Sequence, residues 1–143
     1  MTDPFQEIEP SKEDQLLVSL YENAGRTVDD LPYTVAFEDL FAKYDKEHPG
    51  STMQVVFRRL LNLRKAGRLP RLGISGATTV PITQHEAKDL ADLVVSHAGT
   101  LGRRDQLVYT TDFESLAKEF NKLRGTTPLD HHSVWRLVAR IAK

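Results

Sequence analysis

Residues 31–44, LPYTVAFEDLFAKY, are answered at 107–120 by LVYTTDFESLAKEF. Leu, Tyr, Thr, Phe, Glu and Leu coincide at six of the fourteen positions, and Tyr44 is matched by Phe120. After a two-residue shift, FRRLLNLRK (57–65) aligns with WRLVARIAK (135–143), and Ala24-Gly25 recurs as Ala98-Gly99. Apolar spacing, caps and loop positions agree together, so the chain reads as an internal duplication of a three-helix unit with a period of about 75 residues. At 143 residues, each copy is too short to bury a large core alone. The two are expected to pack as a pseudo-symmetric pair.

The element pattern is mainly α. Residues 1–10, with Pro4, Pro10 and few apolar groups, read as a disordered acidic lead-in. The first unit is expected over 11–82. Its first helix is capped by Ser11 and continues over 15–23, with Leu16, Leu17, Leu20 and Tyr21 at core spacing. The second is capped by Thr34 and covers 35–46, burying Phe37, Leu40, Phe41 and Tyr44. Pro49-Gly50 ends it, and Ser51-x-x-Gln54 is a capping signature for the third, which stops at Gly67. Residues 69–74 and 78–82 read as two short strands around Ser75-Gly76-Ala77, a small β-hairpin restricted by Pro70 and Pro81. The second unit, 83–143, restarts at the capping box Thr83-x-x-Glu86 with a helix over 86–97. Thr127-Pro128 supplies the N-cap and first position of its last helix.

The third helix carries the functional reading. On a 3.6-residue period Met53, Val56, Phe57, Leu60 and Leu63 share one side, and Gln54, Arg58, Asn62 and Lys65 share the other. Their counterparts in the second unit are His131, Val134, Trp135, Val138 and Ile141 inside, and His132, Arg136, Arg140 and Lys143 outside. Net charge is −1, yet residues 1–50 hold 12 Asp/Glu against 4 Lys/Arg and residues 51–143 hold 8 against 15. A neutral total therefore hides a segregated distribution, which creates a local field. Arg58, Lys65, Arg136, Arg140 and Lys143 suit phosphate contacts, and Gln54 and Asn62 suit bidentate readout of adenine. Arg68 and Arg71 flank the start of the expected hairpin, and Arg103-Arg104 lie in the loop between the fourth and fifth helices; either pair could track a nucleic-acid backbone. The same outer faces are equally what a solvated helix would show.

Three short helices, the third amphipathic and basic and running through Arg58 to Leu69 (RRLLNLRKAGRL) into a hairpin over 69–82, resemble a winged helix-turn-helix. The resemblance covers 11–82, and 83–143 only as a wingless three-helix unit. It implies two tandem winged-helix-like or helix-turn-helix-like units, with the third helix of each entering a major groove and the wing meeting phosphates or the minor groove. The connections Glu47–Gly50 and Arg124–Thr126 are long for a tight helix-turn-helix.

Other chemistry is sparse. His131-His132 is the one histidine pair, and adjacent helical residues diverge by about 100°, which suits one metal poorly; no metal and no cofactor are expected. Without cysteine there is no disulfide, thiolate site or cysteine nucleophile. Trp135 with Phe57, and Tyr109 with Tyr33, read as core anchors, and Asp29-Asp30 as loop acids favouring a helix dipole. No nucleophile–base set or phosphate loop occurs, so an enzyme is not expected. No apolar run reaches a membrane span and the first residues lack a signal peptide's regions, which points to the cytoplasm. The expectation is a DNA-binding regulatory or accessory protein; the competing one is a module that docks a protein partner.

Overall fold

Six side-chain oxygens start six α-helices. Ser11, Thr34, Thr52, Thr83, Thr110 and Asp130 each accept a hydrogen bond from the backbone N–H three residues on, at 2.8–3.2 Å. Each satisfies a donor that a first helical turn leaves open. In the computed structural model, which describes residues 11–72 and 79–142, these helices are α1 (Lys12–Ala24), α2 (Val35–Glu47), α3 (Met53–Lys65), α4 (Gln84–Ala98), α5 (Thr111–Arg124) and α6 (His131–Ile141). Short 3-10 turns at Val28–Asp30 and Leu101–Gln106 precede α2 and α5. The fold is mainly helical, and among the described residues there is no strand. Gly25 and Gly125 end α1 and α5 at φ 68° and 66°, a left-handed conformation that glycine adopts without Cβ strain.

Two expected caps shift. The N-cap of α3 is Thr52, one residue after Ser51, so the expected box with Gln54 does not form. The N-cap of α6 is Asp130 rather than Thr127. The Asn121 side chain donates to the Leu129 carbonyl at 3.0 Å and accepts from the Leu129 N–H at 2.8 Å. Residue 129 is thereby tied to α5 and cannot enter the first turn. The capping box of α4 forms in full, with Thr83 N–H donating to Glu86 Oε1 at 3.0 Å. Of the expected hairpin, residues 69–72 and 79–82 are neither helix nor strand, and its centre, 73–78, lies outside the described residues.

One buried cluster runs through both halves of the chain. At its centre six rings form a closed circuit. Tyr33 meets Tyr109 (centroids 4.4 Å apart), Tyr109 stacks on Phe37 (5.6 Å), and Phe37 meets Phe57 edge-on (6.2 Å). Phe57 meets Trp135 edge-on (6.0 Å), Trp135 meets Phe113 (6.2 Å), and Phe113 stacks on Tyr33 (5.0 Å). Stacked and edge-to-face contacts of this kind add about 0.5–1.5 kcal/mol each beyond area burial. Leu17, Leu40, Tyr44 and Leu60 extend the cluster on one side, and Leu90, Val94, Leu116 and Phe120 on the other.

Candidate nucleic-acid interface

The cations of α3 divide into neutralised and unpaired groups. Arg59 donates to the Tyr44 hydroxyl at 2.8 Å and to Asp14 Oδ1 at 3.2 Å, which ties α3 to α2 and α1. Arg64 lies 3.5 Å from Asp29 Oδ2. On the opposite side Arg58, Asn62 and Lys65 are exposed, one helical turn apart in succession. None of the three side chains has a hydrogen bond or ion pair among the described residues. Gln54 is half-buried, and Arg68 and Arg71 are exposed beyond the helix. Val55, 47% exposed, is the large apolar side chain that α3 leaves open. Phe57, Val56, Leu60 and Leu63 are buried on the inner side as their spacing requires.

The corresponding side of α6 is differently placed. The spacing predicts a face like that of α3, but the structure turns His132 and Arg136 inward, onto the first half of the chain. Asp30 is 4% exposed. Its Oδ2 accepts from Arg26 Nη1 at 2.9 Å, and its Oδ1 accepts from Arg136 Nη1 at 2.5 Å. His132 places Nε2 3.4 Å from the same Oδ1 and Nδ1 2.9 Å from the Pro32 carbonyl oxygen. A carbonyl only accepts, so Nδ1 carries a proton. One residue along, the Trp135 indole N–H donates to the Asp29 carbonyl at 3.1 Å. A buried carboxylate requires such compensation, and this is why cations that sequence periodicity assigns to solvent are drawn inside. Arg140 is exposed and donates to Thr79 Oγ1 at 2.9 Å. Lys143 lies outside the described residues.

The structure thus brings Arg58, Asn62 and Lys65 together on one open face, and it separates them in role from His132 and Arg136. Arg103 is exposed and Arg104 half-buried within the second 3-10 turn. Asp30, expected as a loop acid beside a helix dipole, is instead a buried carboxylate whose part in the fold depends on Arg136, 106 positions away; Arg26 at i−4 is the local signal that could have pointed to it. His131 is exposed, with its ring against Tyr33 (5.3 Å) and Phe113 (5.8 Å).

Elsewhere, α4 and α5 are joined by polar contacts at Glu86 and at His97. Glu86 Oε2 accepts from Arg124 Nε at 2.7 Å, and the Thr83 N–H followed by this guanidinium holds the Glu86 carboxyl below its ordinary range. His97 sets Nε2 3.0 Å from Glu119 and Nδ1 3.5 Å from Asp112. The hydrogen bond to Glu119, reinforced by Asp112, raises its pKa above the ordinary histidine value. Among the described residues no group of three His, Asp or Glu could hold a metal ion, and no helix is long and apolar enough to cross a membrane. No protein-family model, curated protein or solved structure matches the chain.

Proposed function

We propose that this is a nucleic-acid-binding protein, most simply of double-stranded DNA, that uses the open face of α3. The observation that carries the reading is the row Arg58, Asn62 and Lys65, exposed and without a described partner, on a helix whose other arginines are matched to acids. A cation left in water beside neutralised neighbours costs the fold nothing and is ready to displace counterions from phosphates. Asn62 supplies the donor–acceptor pair that reads adenine in a major groove, and Val55 can meet a thymine methyl. Arg68 and Arg71 continue the positive charge into the segment that the winged-helix resemblance assigns to a wing, where phosphate tracking is expected. We read the two three-helix sets as copies of one unit in which this surface has been kept on the first only. The protein is, on this reading, a binding module rather than an enzyme.

The test is fluorescence anisotropy with a mixed-sequence duplex at low and moderate salt, comparing wild type with Arg58→Ala/Lys65→Ala. Arg136 is unsuitable for this purpose because its loss perturbs the Asp30 site. Binding that weakens with salt and is lost in the double variant supports the reading. An absence of binding at low salt, where electrostatic attraction is greatest, overturns it and turns attention to a protein partner.

A further inference from the structure

The seam between the two halves is built from bonds that interchange. Tyr33 N–H donates to the Tyr109 hydroxyl and Tyr109 N–H donates to the Tyr33 hydroxyl. Phe113 stacks on Tyr33 as Phe37 stacks on Tyr109, and Phe37 meets Phe57 at the same 6.2 Å at which Phe113 meets Trp135. Each half therefore receives nearly the surface it presents, which is the arrangement of an isologous contact between two subunits. One part of the seam is directional. Asp30 of the first half takes Arg136 of the second, whereas position 106, its counterpart 76 residues on, is glutamine. A first half thus selects a second half. Residues 66–83 connect them; all six rings lie outside this stretch, whose Leu69, Leu72 and Ile82 pack against the core and whose Thr79 accepts from Arg140.

We propose that this seam accepts a second copy of the chain by exchange: residues 11–65 of each molecule dock on residues 84–141 of the other. Both Asp30–Arg136 contacts are then re-formed between chains, and every ring contact is kept. The connecting segment then decides which copy is met first. Tethering holds the halves at an effective concentration in the millimolar range. Refolding at protein concentrations approaching that range allows exchange to compete, and dilution afterwards leaves the dimer trapped because release requires the shared core to open. This inference is independent of the nucleic-acid reading.

A charge-reversal pair tests it on the full chain. In Asp30→Arg a guanidinium faces Arg136, and in Arg136→Asp two carboxylates face each other, so each variant alone loses the contact. Only an exchanged heterodimer sets the introduced arginine opposite the introduced aspartate in one seam and restores native Asp30–Arg136 in the other. The chain has no cysteine, so Ser19→Cys, on the exposed side of α1, gives a single dye position. The Asp30→Arg chain carries the donor and the Arg136→Asp chain the acceptor. Co-refolding is expected to give a 1:1 dimer by light scattering, with energy transfer and a melting point above either variant alone. The same dyes on wild type refolded at high concentration are expected to show transfer that survives dilution, which covers the case of two variants too damaged to fold. Absence of transfer in both experiments overturns the proposal, and so does transfer that vanishes on dilution, the mark of a surface contact.

Discussion

The backbone N–H of Tyr33 donates to the hydroxyl of Tyr109 at 2.7 Å, and that of Tyr109 donates to the hydroxyl of Tyr33 at 2.6 Å. Both residues sit at positive φ, 65° and 60°, where a bulky side chain is strained. Each is followed by a threonine that caps the next helix and donates its hydroxyl to the carbonyl three residues back, Thr34 to Leu31 and Thr110 to Leu107. Burial pushes both phenols up, Tyr109 to about 12, so they stay protonated at neutral pH. The strained turns and the crossed bonds impose each other.

Tyr33→Phe and Tyr109→Phe each leave a part-buried N–H of the other tyrosine without its acceptor. Each is expected to cost about 1–3 kcal/mol, the range for an orphaned buried donor. Urea denaturation of both variants checks this. A cost near zero for either would mean that water replaces the hydroxyl, and that the bond does not hold the seam.

Trp135 is the chain's single tryptophan, is 0% exposed and touches Phe57 and Phe113 from opposite halves. Its fluorescence reports the seam, while far-ultraviolet circular dichroism reports helix content. The two signals are expected to give coincident unfolding curves, because neither half retains a closed core without the other. Separate midpoints would show halves that fold independently.

Arg136→Ala and Arg58→Ala should separate sharply in stability. The first strips a 5%-exposed carboxylate of its closest cation and is expected to cost about 3 kcal/mol, limited by Arg26 remaining at 2.9 Å. The second removes an exposed side chain with no described partner and should stay within about 0.5 kcal/mol. Equal losses in thermal melts would contradict the different roles assigned to α3 and α6.

How far the chain could be read in advance varied with the range of the interaction. Thr34, Ser11 and the Thr83–Glu86 box were legible because a cap is a bond between residues three apart. The shift from Ser51 to Thr52 was not, since two adjacent hydroxyls offer the same chemistry and tertiary packing of Phe57 and Leu60 fixes the helix phase. Asp130 displaced Thr127 through Asn121, a contact eight residues long that caps alone do not reveal. Within the candidate interface, Arg58, Asn62 and Lys65 lie exposed as their spacing predicts. His132 and Arg136 share that spacing but face a carboxylate more than a hundred residues earlier. A polar position tells that a side chain seeks charge or water, and periodicity does not distinguish the two.

His97 gives stability a pH dependence. Its folded pKa is raised above the ordinary value of 6.5, so its contribution is full below that value and is lost as pH rises through the folded pKa. Glu119 and Asp112 are half or more exposed, which holds the effect to about 1 kcal/mol or less. As pH rises from 6.5 through the folded pKa, wild type should lose that increment relative to His97→Gln, with the two curves parallel at higher pH. Parallel curves throughout would remove His97 from the account.

If α3 meets phosphates, salt should expose it. Each neutralised phosphate contributes about −0.9 to the slope of log affinity against log salt on B-DNA. Lys65→Ala should therefore flatten the wild-type slope by roughly one such contact, without changing base preference. An unchanged slope would place Lys65 away from the backbone.

Asp30 leaves α3 and α6 under different rules of change. On α6, a substitution at His132 or Arg136 must first be tolerated by a buried carboxylate, so the repertoire there is narrow whatever the protein binds. On α3, no side-chain bond among the described residues restrains Arg58, Asn62 or Lys65, and these positions can be redrawn one at a time at little cost to the scaffold. A saturation library scored only for folding would find the first set intolerant and the second nearly silent. On the nucleic-acid reading proposed above, that silence would leave α3 as the place where a new specificity could be written at little cost to the fold.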